Sequence, residues 1–264
     1  MAIDVAVLLS AGRHPVSGRG RRAPGDARAL KLALELLSEP RAVHAGDPAT
    51  PSLRDYLGMG LDAVTVLDLP PEADPVPALI RHLETTPPDL VLAGCRAETG
   101  EDSGMVPYII AEALGFAMVP GIVEIISIDD GAVRLLQALP RGQRRAITAP
   151  LPLVATVDMA APAPRQNTFA IARRGRIHRV AAEAVSDSER AGWQTSPARQ
   201  RPRRLGASIS GLSAAERLSA LTEAPAGAGQ QSIGPTPDDA AQAIYYYLIE
   251  QRILPPPTGK EESP

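Results

Sequence analysis

Aliphatic residues fall into short runs separated by helix-compatible segments, and this alternation holds over the first 158 residues. "IDVAVLL" (3–9) is a continuous Val- and Leu-rich run, the composition of a strand covered on both faces. "DARALKLALELL" puts Leu30, Leu34 and Leu37 at helical spacing, with Asp26 as the expected cap. "RAVHAG", "PSLRDYLGMG", "DAVTVLDL", "VPALIRHLETT" and "PDLVLAG" then alternate strand with helix, the order of parallel strands joined by crossover helices. "MVPYIIAEALG" returns to helix. "PGIVEIISIDDGAVRLLQAL" reads as two strands around the turn Asp129-Asp130-Gly131, and "APLPLVATVD" as a further buried strand. The expected fold is α/β: a three-layer α/β/α domain over residues 1–160, built on a mostly parallel sheet of nucleotide-binding type with a small antiparallel addition.

After Asp158 the pattern changes, because "MAAPAPRQNTFAIARRGRIHRV" shows neither sustained alternation nor helical period. Residues 161–264 are therefore expected to form an extended basic arm and C-terminal helices that pack on a partner. Between Arg165 and Arg204 there are ten Arg against three acids, Glu183, Asp187 and Glu189. "SAAERLSALTEA" opens with a Ser213/Glu216 capping box, and "TPDDAAQAIYYYLIEQRIL" with Thr236 as cap and Pro237 at the first helical position. "APAGAGQQSIGP" between them has the composition of a flexible linker.

Composition narrows the functional classes. The 264 residues are 44% hydrophobic but only 3% aromatic, with 27 Pro, so the core is aliphatic and the chain often interrupted. A net charge of -3 argues against general nucleic-acid affinity. One Cys rules out an internal disulfide framework and any multi-cysteine metal site. Apolar runs stay short of the roughly 18 residues a membrane helix needs, and no basic segment precedes the first of them. The expectation is a soluble, cytoplasmic protein without membrane insertion.

Catalytic motifs are scarce. The phosphate-binding pattern GxxxxGK[ST] is absent. "GRGRRA" (18–23) matches G-x-G-x-x-A in form, but it starts beyond the first strand and runs into Pro24-Gly25 instead of opening a helix. Ser103 in "EDSG" is a conceivable nucleophile with His44 as base, yet no G-x-S-x-G elbow surrounds it. No two His stand at helical ligand spacing, and Cys95 beside Arg96 is either a redox thiol or an inert turn residue. What remains is a binding rim. In open parallel sheets, ligands sit beyond the carboxyl ends of the strands, where the loops at 10–25, 44–48 and 94–104 converge. Gly94, Gly100 and Gly104, with Ser103 before the helix starting near Met105, either make tight turns or free backbone amides for an anion, with phosphate the natural guest.

The order of "PDLVLAG", "AETGEDSGMVPYIIAEALG", a β-hairpin and "LPLVATVDMAAPAPRQNTFAIARRGRI" resembles the β subunit of electron transfer flavoprotein. "APGDARALKLALEL", "AGDPATPSLRDYLGMGLDAVTVL" and the tail "TPDDAAQAIYYYLIEQRIL" extend the likeness in the same order along most of the chain. The resemblance implies an adenine-nucleotide-hydrolase-like sheet and a heterodimeric electron carrier, not an enzyme. This chain would bind AMP structurally and scaffold an α subunit that holds most of the FAD contacts. It would dock a flavoprotein dehydrogenase and accept its electrons for the respiratory chain. It implies AMP contacts at Leu8, at Ala23, Pro24, Gly25 and Asp26, at Ala45, and along the turn holding Gly94, Cys95, Arg96, Gly100, Asp102, Ser103, Gly104 and Met105. It also implies a docking tip at Phe169 and Ile171, with Arg173 and Arg174 steering encounter. The alternatives are a bifurcating relative with a second FAD and NADH at the β site, and a stand-alone adenine-nucleotide-binding protein.

Two departures stand out. "ALPRGQRRAITAPLP" carries Arg141 and Arg145 where the family pattern is acidic, which bears on how a flavin domain would be held. Ala23 stands where the family has Asn near the nucleotide.

Overall fold

The protein is described by a computed structural model covering residues 3–14, 16–188, 190–194, 213–215, 218, 234, 236–250 and 253–254. Its strands are β1 (Val5–Leu8), β2 (Ala11–Arg13), β3 (Gly20–Arg22), β4 (Arg41–Gly46), β5 (Ala63–Asp68), β6 (Ala73–Asp74), β7 (Leu90–Gly94), β8 (Ala117–Asp129), β9 (Ala132–Ala138), β10 (Arg144–Pro150), β11 (Leu153–Val157), β12 (Arg176–Ala181) and β13 (Val185–Ser186). Helices are α1 (Pro24–Leu36), α2 (Leu53–Leu57), α3 (Pro75–Thr85), α4 (Val106–Leu114), α5 (Phe169–Arg174) and α6 (Pro237–Glu250).

A nine-stranded sheet runs β10-β9-β8-β11-β7-β1-β4-β5-β12. The strands from β11 to β12 are mutually parallel, while β8, β9 and β10 form an antiparallel edge. Period-two alternation divides each central strand between two cores. Val5 and Val7 of β1 face one core with α1 and α2, while Ala6 and Leu8 face the other with α3 and α4. Both faces are covered, which explains the uninterrupted aliphatic runs, and the three-layer α/β/α expectation holds.

The long hairpin forms where expected. Asp130 and Gly131 both take positive φ, 49° and 76°, as a two-residue hairpin turn requires. The antiparallel edge is larger than the sequence suggests, because "RRAITAP" forms β10 against β9 in unbroken register. Its Arg-rich start conceals the strand: Arg144, Arg145 and Ala146 are exposed, so no apolar alternation marks it.

Helix α1 begins three residues earlier than its pattern predicts. Ala23 is the N-cap, Pro24 takes the first turn with its preset φ, and Asp26 lies inside the helix as a buried residue instead of capping it. A first compact unit extends to Gln194. Arg176–Ala181 pairs in parallel with β5 over six residues, and this ladder makes the segment part of the sheet. Residues 158–175 therefore run as a strap from β11 to the far edge.

The second unit spans Thr195–Pro264. Within it α6 starts as its sequence predicts: Thr236 Oγ1 accepts the Asp239 amide at 3.3 Å, and Asp238 and Asp239 lie in the first turn. Glu216 of the expected capping box and nearly all of the linker at 224–235 lie outside the described residues.

Candidate functional site

The rim at the carboxyl ends of β1, β4 and β7 is organised around Asp26. One carboxylate oxygen accepts the Ser10 amide at 2.7 Å and the Ser10 hydroxyl at 2.5 Å; the other accepts the Gly94 amide at 2.8 Å. A single buried side chain thus fastens the ends of β1 and β7 to the first turn of α1. Burial pushes its pKa up to about 6, against the opposing pull of the Ser10 and Gly94 hydrogen bonds. The glycines here serve close packing. A Cβ on Gly94 would stand 2.6 Å from Asp26 Oδ1 and 2.9 Å from Asp26 N, and one on Gly25 would stand 3.2 Å from Gly94 Cα. Gly25 and Gly94 let helix and strand touch.

The loop from Cys95 to Met105 is tied down at several points. Glu98 accepts from the Arg13 amide at 3.1 Å and from Arg21 Nη2 at 2.6 Å, and Thr99 Oγ1 donates to Ala11 O at 2.8 Å. These bonds fasten it to the β2–β3 hairpin. Arg96 pairs with Asp102 at 3.4 Å on the exposed side. The Cys95 thiol donates to Val157 O at 3.3 Å, and burial raises its pKa, so it stays a thiol that joins β7 to β11. Gly100, Asp102 and Gly104 take φ of 81°, 54° and 73°. Ser103 Oγ accepts the Met105 amide at 3.3 Å. Among the described residues the Ser103 and Gly104 amides have no acceptor. Successive amides in left-handed turns ahead of a helix form a concavity suited to an anion.

Two further polar groups complete the rim. Tyr56, fully buried on α2, accepts the Ala23 amide at 2.8 Å and donates to Ser10 O at 2.9 Å. Arg22 Nη1 is buried with no hydrogen-bond partner among the described residues. A buried guanidinium nitrogen without an acceptor is costly, and at the rim it matches an anionic guest. His44 Nδ1 bonds Leu9 O at 2.8 Å, and burial lowers its pKa, so the ring is neutral and donates through Nδ1. Its partner is therefore a backbone carbonyl, while the Ser103 hydroxyl is engaged with Met105, and no nucleophile–base pair forms. No group of three metal-ligating side chains occurs among the described residues.

A second candidate lies on the strap. Phe169 opens α5 and is 79% exposed, so it does not pack on the protein's own core. Ile171, Arg173 and Arg174 are exposed beside it, while Ala172 is buried. The helix is pinned on α2: the Thr168 amide donates to Gly58 O at 2.9 Å, Asn167 Nδ2 to Asp55 Oδ1 at 2.6 Å, and Arg54 Nη1 to Ala172 O at 3.1 Å.

Leu8 ends β1 and Ala45 lies in β4, both at the rim with Ala23, Pro24, Gly25 and Asp26. The sequence reading missed Ser10, Tyr56 and Arg22. Ser10, a hydroxyl directly after a buried strand, is detectable in principle. Tyr56 is not, because its helical segment gives no sign that the phenol reaches back to residues 10 and 23. Arg145 Nη2 donates to Gln137 Oε1 at 2.7 Å, and Arg141 sits in a turn at φ 61°.

A family model described as electron transfer flavoprotein domain matches residues 17–187. The chain is also 45% identical over 258 residues to a Chromohalobacter salexigens protein named electron transfer flavoprotein subunit beta, covering 96% of each.

Proposed function

The chain belongs to the electron transfer flavoprotein family, and from that premise we propose what its rim and its α5 tip hold. Its role is electron transfer as a β subunit, not bond-making catalysis. The rim binds AMP. Ser103 and Gly104 offer amides to the phosphate, Arg22 offers its unpaired nitrogen, and Asp26 with Tyr56 fixes the backbone of the surrounding loops. The buried, unpartnered Arg22 nitrogen beside this tied-down rim is the observation that carries the reading.

The subunit scaffolds an α subunit whose FAD supplies the redox chemistry, and this chain's residues transfer no proton and break no bond. Phe169 and Ile171 supply an apolar contact to a flavoprotein dehydrogenase, with Arg173 and Arg174 steering encounter. Among the described residues no helix is long and apolar enough to cross a membrane.

Extraction of bound cofactors from the co-expressed heterodimer tests this. One AMP and one FAD per heterodimer is expected. Two FAD would assign the rim to a bifurcating relative, and adenine nucleotide bound without any flavin-bearing partner would assign it to a stand-alone binding protein.

A further inference from the structure

The geometry points to helix α2 as a strut shared by the nucleotide rim and the docking tip, so that an adenylate at the rim orders the segment that presents Phe169. The inference rests on the function proposed above, and adds a role for the nucleotide that a purely passive filler lacks.

One side of this five-residue helix reaches the rim. Tyr56 is fully buried, and its hydroxyl bridges the Ala23 amide and Ser10 O at 2.8 and 2.9 Å. Residues 10 and 23 begin and end the segment that leads into α1, and Ser10 is itself held by Asp26. Another side holds the tip. Asp55 takes Asn167, Arg54 takes Ala172 O, and Gly58 O takes the Thr168 amide. The fit is close at both ends of α5: a Cβ on Gly58 would overlap the Asn167 side chain, and one on Gly175 would stand 2.8 Å from Leu57 Cβ. Leu53 and Leu57 are fully buried between these contacts, so α2 has no room to turn independently of either neighbour.

No other described helix bonds both regions through side chains of one turn. Tyr56 and Gly58 are accordingly positioning residues: both are buried, and both act through α5. A ligand that braces residues 10 and 23 favours the one orientation of α2 in which Asn167, Thr168 and Ala172 keep their partners. Linkage makes the effect reciprocal, so disturbing the tip must weaken AMP by the same factor by which AMP orders the tip.

The test is hydrogen exchange of the peptide spanning 167–175 in the co-expressed heterodimer, stripped of nucleotide and then given AMP. Adding AMP should slow exchange of the Thr168, Ala172 and Gly175 amides roughly two- to tenfold, the range one net hydrogen bond supports. Tyr56→Phe should remove that slowing at saturating AMP. Gly58→Ala should weaken AMP by a similar roughly two- to tenfold factor, and the double variant Gly58→Ala/Asn167→Ala, which relieves the overlap, should regain the affinity of Asn167→Ala alone. AMP that binds tightly while exchange over 167–175 stays unchanged overturns the strut and leaves the nucleotide reading intact. Failure of AMP to bind overturns both.

Discussion

The rim and the α5 tip are built from opposite materials. At the rim, a carboxylate, a phenol and a hydroxyl answer one another, so the loops are held to each other by the protein's own side chains. At the tip a large apolar ring stands in solvent, and the polar bonds lie behind it, on α2. The difference teaches where stability and affinity reside. Rim residues hold the domain together; Phe169 leaves its apolar area outside the fold.

The largest expected effect that can break this contrast is the response of Asp26 to pH. Its folded-state pKa of about 6 lies above the ordinary 3.8, so the folded chain keeps a proton that the unfolded chain releases. Stability from this group is complete below about 4 and is lost as pH rises through about 6, a change of about 3 kcal/mol. Asp26→Asn should abolish that slope in denaturant titrations across the window; an unaltered slope would show that the rim is less dry than its geometry implies.

Gly94→Ala comes next. Its methyl would meet Asp26 Oδ1 at 2.6 Å, and forcing α1 away from β7 should cost about 1–3 kcal/mol by chemical denaturation. A neutral result would show that the approach of α1 to β7 does not depend on the missing side chain at Gly94. Phe169→Ala gives the smallest stability change, within about 0.5 kcal/mol for an exposed side chain. The same substitution should lower kcat/KM for electron acceptance from the dehydrogenase roughly 30-fold, since truncating a hot spot costs about 2 kcal/mol. Equal losses of stability and transfer would erase the distinction between the two regions.

Sequence alone carried the architecture further than the site. The order of β1, α1, β4, α2, β5, α3, β7 and α4 was legible because two-sided burial leaves unbroken aliphatic runs and one-sided burial leaves helical period. β10 was hidden because its outward residues are Arg, and β12 because "RIHRVA" lies at an exposed edge where apolar alternation has no purpose. Of the site, the rim loops were legible, since turn residues after buried strands mark that edge. Asp26 was read as a cap because an acid ahead of a Leu period looks like one; its buried role depends on Ser10 and Gly94, distant by 16 and 68 positions. The close approach of α1 to β7 at Gly25 and Gly94 was not legible, because sequence does not separate close backbone packing from close ligand approach.

The strap between β11 and β12 has a consequence for how the subunit matures. It crosses four strands of the sheet, and its footholds are Arg28 on Ala161 O, Arg165 on Leu34 O and the α2 bonds. Apart from the Asp158 amide on Ile122 O of β8, these come from α1, from α2 and from the Gly58 that ends it, and β12 pairs with β5. A chain caught halfway through assembly therefore has no properly mounted Phe169.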